Sequence, residues 1–187
     1  YLSIAGHTMR EDKWEKKAYG KGIELRGKTL GIVGFGRIGQ HLGVMAKAIG
    51  MDVIAFDIFH IPGIEEQLGI PYVEMDELLA KSDFISVHAP AVDGGALINA
   101  ERIAKMKDGV VIINTSRGTN VDEAALLAGL ESGKVRAAGL DVYADEPATN
   151  KALYSHPMVS CTPHIGAATV EAQKRIGAEI VDIISAF

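Results

Sequence analysis

The chain of 187 residues has one cysteine and one tryptophan, and it lacks any apolar run long enough to cross a bilayer. The lone Cys161 excludes a disulfide within the chain, which favours a reducing compartment, and we expect a cytoplasmic protein with Cys161 in its core. Basic residues number 19 against 24 acidic ones, for a formal net charge of -5. This balance gives no electrostatic reason to expect nucleic acid or a membrane surface as partner. No group of His, Cys and acidic residues has metal-ligand spacing, so we predict no metal.

The most informative segment runs from Lys28 to Asp57 and contains two apolar runs separated by a glycine motif and an amphipathic run. This order is typical of the strand, turn, helix and strand of a dinucleotide-binding unit. Gly34 permits the tight turn, Gly36 lets the backbone approach a pyrophosphate, and Gly39 lets the helix pack close to the strand. A pyrophosphate would then lie at the helix N-terminus, where free N–H groups and the helix dipole favour negative charge.

Asp57 ends the second apolar run and can accept hydrogen bonds from a ribose diol. NADP carries a phosphate where this carboxylate would point, and the two anions would repel each other. The next residues, Ile58, Phe59 and His60, include no Arg or Lys that could receive a phosphate. The sequence therefore favours NAD. An S-adenosylmethionine enzyme can use a similar turn and acid, so the nucleotide site alone does not identify the reaction.

Apolar runs alternate with helical stretches along the rest of the chain, which predicts an α/β fold. We expect a Rossmann-like, doubly wound parallel sheet with helices on both faces. The predicted strands are Leu30–Val33, Val53–Phe56, Tyr72–Val73, Phe84–Val87, Val110–Asn114, Ala138–Asp141 and Val159–Cys161. The predicted helices are Ser3–Ala18, Arg37–Ile49, Met75–Ala80, Ala100–Met106, Asp122–Ser132 and Thr169–Ala186.

Polar residues follow several predicted strands, and in an open parallel sheet ligands bind beyond the carboxyl ends of the strands. Arg117, Glu146 and His164 all fall in such segments. We therefore expect them on one rim of the sheet, beside the expected nicotinamide. Hydride transfer to a 2-keto acid needs a proton donor and a cation for the carboxylate, tasks that suit His and Arg. A neighbouring carboxylate such as Glu146 would orient the histidine ring.

The segments GFGRIG, VHAP, NTSRG with VDEAAL, GLDVYADEP and TPHIGAAT occur in this order over nearly the whole chain. Together they resemble the NAD-binding domain of the D-isomer-specific 2-hydroxyacid dehydrogenases. The resemblance implies that Arg117 binds substrate, that Glu146 pairs with the histidine and that His164 is the acid–base. The cofactor-binding residues expected from the glycine motif and the resemblance are Gly34, Gly36, Arg37, Ile38, Gly39, Asp57, Ala89, Pro90, Thr115, Ser116, Arg117, Asp141, His164 and Gly166.

Within that family, the stretch that leads to GFGRIG looks most like phosphoglycerate dehydrogenases. This implies the conversion of 3-phosphoglycerate to 3-phosphohydroxypyruvate, a step of serine biosynthesis. Glyoxylate, hydroxypyruvate or D-lactate types are alternatives, and so is an NAD-sensing co-repressor module without catalysis. The sequence after VHAP reads AVDGGA, which departs from the family's usual Leu-Thr continuation.

The resemblance also implies a domain organisation. Residues 1–187 would form one NAD-binding domain, with residues 1–27 as a former crossover helix and connector, and the substrate domain would be absent from this chain. Family members dimerise through this domain, so we expect a homodimer. In the first helix, Leu2, Ile4, Met9 and Trp14 are the apolar candidates for that contact, although Trp14 could instead pack on its own domain.

Overall fold

The computed structural model describes residues 1–186. Six parallel strands form one sheet in the order β2-β1-β3-β4-β5-β6. The order reverses beside β1, which places the topological switch point between β1 and β3. The strands are β1 (Thr29–Val33), β2 (Asp52–Phe56), β3 (Phe84–Val87), β4 (Val110–Asn114), β5 (Val135–Leu140) and β6 (Val159–Cys161).

Eight α-helices are present among the described residues, with one 3₁₀ turn at Gly118–Asn120. The helices are α1 (Leu2–Arg10), α2 (Arg37–Ala48), α3 (Ile64–Leu68), α4 (Met75–Lys81), α5 (Ala100–Lys105), α6 (Glu123–Ser132), α7 (Lys151–Tyr154) and α8 (Val170–Ser185). None of them is both long and apolar enough to cross a membrane.

Two apolar clusters cover opposite faces of the sheet. Ile32 of β1 packs with Ala46 of α2 in the smaller cluster, whereas Val33 packs with Leu78 of α4 in the larger one. Successive strand residues point to opposite faces, so this division follows from the strand period of two. The larger cluster continues through α5 and α6 to Leu126. Helices thus cover both faces, and the predicted doubly wound fold is confirmed.

The structure differs from the predicted elements in four places. β5 begins at Val135, three residues before the predicted strand Ala138–Asp141. The predicted helix Ser3–Ala18 stops at Arg10, because α1 buries none of its residues and Asp12 adopts a left-handed φ of 58°. The predicted strand Tyr72–Val73 is a single bridge to Ala55 rather than a strand. The short helices α3 and α7 were not predicted, since each spans little more than one turn.

Cys161 does not lie in the core, so that prediction was wrong. It is exposed at the end of β6, which has three residues and forms the edge of the sheet. Only Val159 of this strand is buried. An apolar run at an edge is covered on fewer sides than a central strand, and sequence alone does not show which strand is at the edge.

Candidate active site

The glycine turn between β1 and α2 has the geometry expected of a dinucleotide-binding turn. Gly34 has a φ of 95°, and a Cβ on it would lie 2.5 Å from the backbone nitrogen of Ala89. A Cβ on Gly39 would lie 2.3 Å from the carbonyl oxygen of Gly34, so the helix packs against the turn. By contrast, a Cβ on Gly36 would meet no atom within 4 Å. The protein itself therefore leaves open space at Gly36.

The N-terminus of α2 opens onto this space. Gly36 is the N-cap and provides no side-chain hydrogen bond to the first turn. Arg37 and Ile38 follow at once, and Ile38 is 69% exposed. Uncapped N–H groups beside open space at a helix N-terminus can hold a phosphate. The turn thus fits the pyrophosphate of a dinucleotide.

Asp57 lies at the end of β2, beside the same turn. Its Oδ2 accepts a hydrogen bond from the Phe35 N–H at 2.6 Å, and its Oδ1 accepts one from the Phe59 N–H at 3.0 Å. Each carboxylate oxygen has a second lone pair and can accept another bond. The half-buried carboxylate therefore orders the turn and can still receive a ribose hydroxyl.

Glu146 and His164 form a pair at the carboxyl end of the sheet. The distance from His164 Nδ1 to Glu146 Oε2 is 2.7 Å, and the Tyr143 N–H donates to Glu146 Oε1 at 3.2 Å. These hydrogen bonds, first that from His164, hold the pKa of Glu146 below its usual value. His164 has a φ of 54°, a left-handed conformation that is uncommon outside glycine. Residues held in such sparsely populated conformations cluster at functional sites.

Asp141 anchors the loop that contains His164. Its Oδ1 accepts bonds from the Thr162 hydroxyl at 2.6 Å and from the Ile165 N–H at 2.8 Å. Its Oδ2 accepts one from the Gly166 N–H at 2.8 Å. Burial, the largest single influence, raises the pKa of Asp141, but these three hydrogen bonds together outweigh it and lower the pKa. The protein itself thus engages both oxygens of this predicted cofactor contact.

Arg117 lies on the neighbouring loop after β4. The side chain is exposed, and Nη1 donates to the Ser116 carbonyl at 2.7 Å. The next residue, Gly118, packs so tightly that a Cβ on it would lie 1.8 Å from the carbonyl oxygen of Tyr143. The loop of Arg117 therefore contacts the loop that bears Glu146. The structure places both loops and the His164 segment at the carboxyl ends of β4, β5 and β6.

The remaining predicted cofactor contacts lie on the same edge. Ala89 and Pro90 follow β3, and Ala89 is half-buried against Gly34. Thr115 is exposed after β4, whereas Ser116 is buried. The buried Ser116 side chain bonds to the protein itself, because its hydroxyl donates to Asn114 Oδ1 at 2.8 Å.

Several residues that shape the site were not singled out from the sequence. Thr162 bonds to Asp141, and Glu123 of α6 accepts hydrogen bonds from the Ala144 N–H at 2.9 Å and the Asn150 amide at 3.0 Å. Glu123 thereby holds the loop of Glu146. The only signal for it was its place in VDEAAL, where an acid in the first turn of a helix has an ordinary explanation in the helix dipole.

A cleft of about 460 Å³ adjoins the pair of Glu146 and His164. Tyr143 forms part of its wall and donates from its hydroxyl to the Thr162 carbonyl at 3.0 Å. Burial chiefly raises the pKa of Tyr143 to about 12, so this hydroxyl stays protonated and remains a donor. Among residues 1–186, no group of three or more His, Cys, Asp or Glu side chains could hold a metal ion.

Comparison with known proteins assigns the chain to one family. The family described as "D-isomer specific 2-hydroxyacid dehydrogenase, NAD binding domain" matches residues 2–166. A hydroxypyruvate reductase of Thermotoga maritima is 50% identical over 98% of this chain and 60% of that protein. A D-3-phosphoglycerate dehydrogenase of Mycobacterium tuberculosis is 45% identical over 98% of this chain and 35% of that protein. The chain thus spans between about a third and 60% of these relatives.

Solved structures agree with this assignment. A glyoxylate reductase from Paecilomyes thermophila superposes with a TM-score of 0.90 at 39% identity, over 99% of this chain and 56% of that one. A D-lactate dehydrogenase from Aquifex aeolicus, complexed with NAD and lactic acid, superposes with a TM-score of 0.82 at 35% identity. That match covers 99% of this chain and 66% of the Aquifex chain.

Proposed function

Because this chain belongs to the D-isomer-specific 2-hydroxyacid dehydrogenases, as their NAD-binding domain, we propose that it serves hydride transfer between NAD(H) and a D-2-hydroxy acid. The observation that carries the proposal is the pair of His164 and Glu146, 2.7 Å apart, on the sheet edge that also bears the glycine turn. A dinucleotide bound on that turn would extend along this edge, towards the switch point and the pair.

Each side chain has a proposed task in the reduction of a 2-keto acid. NADH, when bound, would supply a hydride for the keto carbon, and the carbonyl electron pair would then move onto oxygen. His164 gives that oxygen a proton, which yields the D-2-hydroxy acid. Glu146 holds the His164 ring and compensates its positive charge. The planar donors of Arg117 bind the substrate carboxylate or the polarised carbonyl.

We further propose that a separate substrate domain completes the site. The chain covers 60% of the Thermotoga relative, and neither α1 nor α8 buries a residue. Residues 1–27 would then be the crossover segment, as the resemblance implied. Water exclusion around the transferred hydride normally requires closure of two domains. We therefore expect the 187-residue chain alone to bind NADH with little or no turnover.

For the substrate, we propose the pair 3-phosphoglycerate and 3-phosphohydroxypyruvate, which would make the protein an enzyme of serine biosynthesis. Its support is the group of phosphoglycerate dehydrogenase relatives at 45% identity. The second candidate is hydroxypyruvate, favoured by the 50% identity to the Thermotoga hydroxypyruvate reductase. Phosphohydroxypyruvate and hydroxypyruvate are both 2-keto acids substituted at C3, and they differ only in the phosphate.

A substrate panel tests this proposal. The full-length protein that contains this chain is mixed with NADH and, in separate assays, phosphohydroxypyruvate, hydroxypyruvate, glyoxylate and pyruvate, and loss of NADH absorbance is followed. We expect the highest kcat/KM with phosphohydroxypyruvate. A clear preference for hydroxypyruvate supports the second candidate instead. NADH binding without turnover of any keto acid would favour an NAD-sensing module of the same fold.

We also propose that the protein is a homodimer in contact through α1 and the turn after it. Trp14 is 77% exposed and Leu2 is 92% exposed, so most of each side chain is not covered by its own domain. Exposed large apolar side chains at one end of a domain are suited to an interface. The cytoplasmic location stays a prediction.

A further inference from the structure

A buried amide lies between two loops at the edge of the sheet, and none of the sequence motifs gives it a role. The side chain of Asn120 is 0% exposed. Its Nδ2 donates to the carbonyl oxygen of Ala89, on the loop after β3, at 2.9 Å. It also donates to Ser116 Oγ, on the loop after β4, at 3.1 Å. Because a carbonyl oxygen can only accept, the amino end of the amide must face Ala89.

The hydrogen bonds continue from Asn120 to the loop of Arg117. Ser116 Oγ donates to Asn114 Oδ1 at 2.8 Å, and Asn114 Nδ2 donates to the Arg117 carbonyl at 2.9 Å. The side chains of Asn114, Ser116 and Asn120 are all buried. In this low-dielectric setting each donor has a defined acceptor, so the network specifies one arrangement of the Arg117 backbone.

On its other side, Asn120 holds both ends of the segment after β3. The side chain bonds to Ala89 at the start of the segment, and the backbone oxygen accepts the Ile98 N–H at 2.9 Å at its end. Ala89 in turn lies against Gly34 of the glycine turn. Between the fixed ends, Asp93 and two glycines with positive φ are exposed. Asn120 therefore bonds to both ends of a segment that has little local structure of its own, and at the far end the Asp122 N–H adds a bond to the Ile98 carbonyl at 2.9 Å.

The side-chain oxygen of Asn120 shows what the residue contributes. Oδ1 is buried and has no hydrogen-bond partner among the described residues. An unpaired buried acceptor is unfavourable, and an apolar side chain of similar size would avoid it. The compensating gain is the pair of donated bonds that connects the two loops.

We propose that Asn120 is a positioning residue that keeps the glycine turn, the segment after β3 and the Arg117 loop in one fixed arrangement. This arrangement would fix the position of Arg117, the proposed substrate-binding residue, relative to the nicotinamide end of a bound cofactor. The inference rests on the proposed function, since the ligands that benefit are those of the dehydrogenase site.

The test compares variants of the 187-residue chain. Asn120→Leu keeps the branched shape and the number of heavy atoms, although leucine is bulkier, and it removes both donors; Asn120→Ala is the smaller alternative if leucine does not fit. The matched control is Val121→Ala, because Val121 is also buried on the same segment but its side chain donates no hydrogen bond. Three quantities are measured: NADH affinity by calorimetry, unfolding by urea, and amide hydrogen exchange in residues 88–98 and 114–118.

We expect either Asn120 variant to weaken NADH binding at least tenfold and to speed exchange in both segments. Val121→Ala should lose comparable stability and keep NADH affinity within about twofold. In the wild-type chain, the side-chain amide protons of Asn120 should be protected from exchange, a result that requires no variant to fold. NADH affinity and exchange rates that match wild type in a folded Asn120 variant would overturn the inference and leave the proposed function standing. If wild type does not bind NADH, the proposed function fails, and the exchange rates alone decide whether Asn120 couples the loops.

Discussion

Replacing Asp141 by asparagine should destabilise the protein, because three hydrogen bonds of the His164 loop converge on its carboxylate. An asparagine keeps one accepting oxygen and places an NH₂ group where the other oxygen stood. If the retained oxygen still accepts from Thr162 and Ile165, the Gly166 N–H faces a donor. One charge-assisted hydrogen bond is then lost, at about 1.5–3 kcal/mol. For a protein of this size, a loss of about 2 kcal/mol corresponds to a Tm lower by roughly 4–8 °C.

The loss of stability in Asp141→Asn should depend on pH, and the lowered pKa of Asp141 sets the direction of that dependence. A carboxyl whose pKa is lower in the folded than in the unfolded state stabilises the fold above its unfolded value, here 3.8. That stabilisation disappears as the pH falls through the folded pKa, where wild type also becomes neutral. The difference in unfolding free energy between wild type and Asp141→Asn should therefore be full near pH 7 and shrink below about pH 4.

Urea unfolding of both proteins across this pH range is the assay, with Asp145→Asn as the control. Asp145 is exposed, and among residues 1–186 its carboxylate accepts a side-chain bond only from the Thr149 hydroxyl, so this variant should stay within about 0.5 kcal/mol of wild type. An Asp141→Asn variant as stable as wild type near pH 7 would refute the view that Asp141 anchors the His164 loop. So would a loss that stays constant down to the lowest pH.

Cofactor selectivity, the packing of Gly118 and the dimer contact of Trp14 can each be tested separately. Because no Arg or Lys stands in the three residues after Asp57, NAD(H) should bind at least tenfold more tightly than NADP(H), a difference of about 1.4 kcal/mol. Equal affinities in calorimetry would contradict this. Gly118→Ala should destabilise the chain by about 3 kcal/mol or more, because its Cβ would lie 1.8 Å from the Tyr143 carbonyl oxygen. An unchanged midpoint of urea unfolding would contradict this tight packing of Gly118 against Tyr143. Trp14→Ala should raise the dimer dissociation constant in sedimentation equilibrium, whereas a monomeric wild type would exclude the dimer.

Much of the fold was predictable because its signals are local. The glycine motif, the run of α2 and the acid at Asp57 lie within thirty consecutive residues, and their spacing reflects the geometry of one strand–helix–strand unit. The central strands β1 and β3 are buried on both faces over most of their length, so they appear as continuous apolar runs. At the edge of the sheet an apolar run does not indicate that each of its residues is buried, as the exposed Cys161 of β6 shows.

The family assignment decided what the nucleotide motif could not. A glycine turn followed by Asp57 is also compatible with an S-adenosylmethionine enzyme, whereas the match over residues 2–166 is to the NAD-binding domain of the dehydrogenases. The prediction of NAD as the cofactor is thereby confirmed. The ordered motifs were informative because they include Arg117 and His164, which a binding turn alone does not require.

The supporting contacts of the site could not be predicted, because they join residues far apart in sequence. Asp141 bonds to backbone groups 24 and 25 residues away, and Asn120 bonds to a carbonyl 31 residues away. A buried asparagine has no periodic signal, and Glu123 at a helix start has a sufficient local explanation. Only the fold shows that such side chains connect the loops of the site.

We propose that His164 donates the proton in reduction of a 2-keto acid, and this role can be measured. It is tested most directly by steady-state reduction with NADH in the full-length protein, comparing wild type, His164→Ala and the control His156→Ala. His156 lies in the turn before β6, where the Met158 N–H is the one hydrogen-bond partner of its ring within the described part of the chain. We expect His164→Ala to lower kcat by roughly 10²–10⁴ and His156→Ala to remain near wild type. A His164→Ala enzyme with wild-type kcat across the pH range would contradict it.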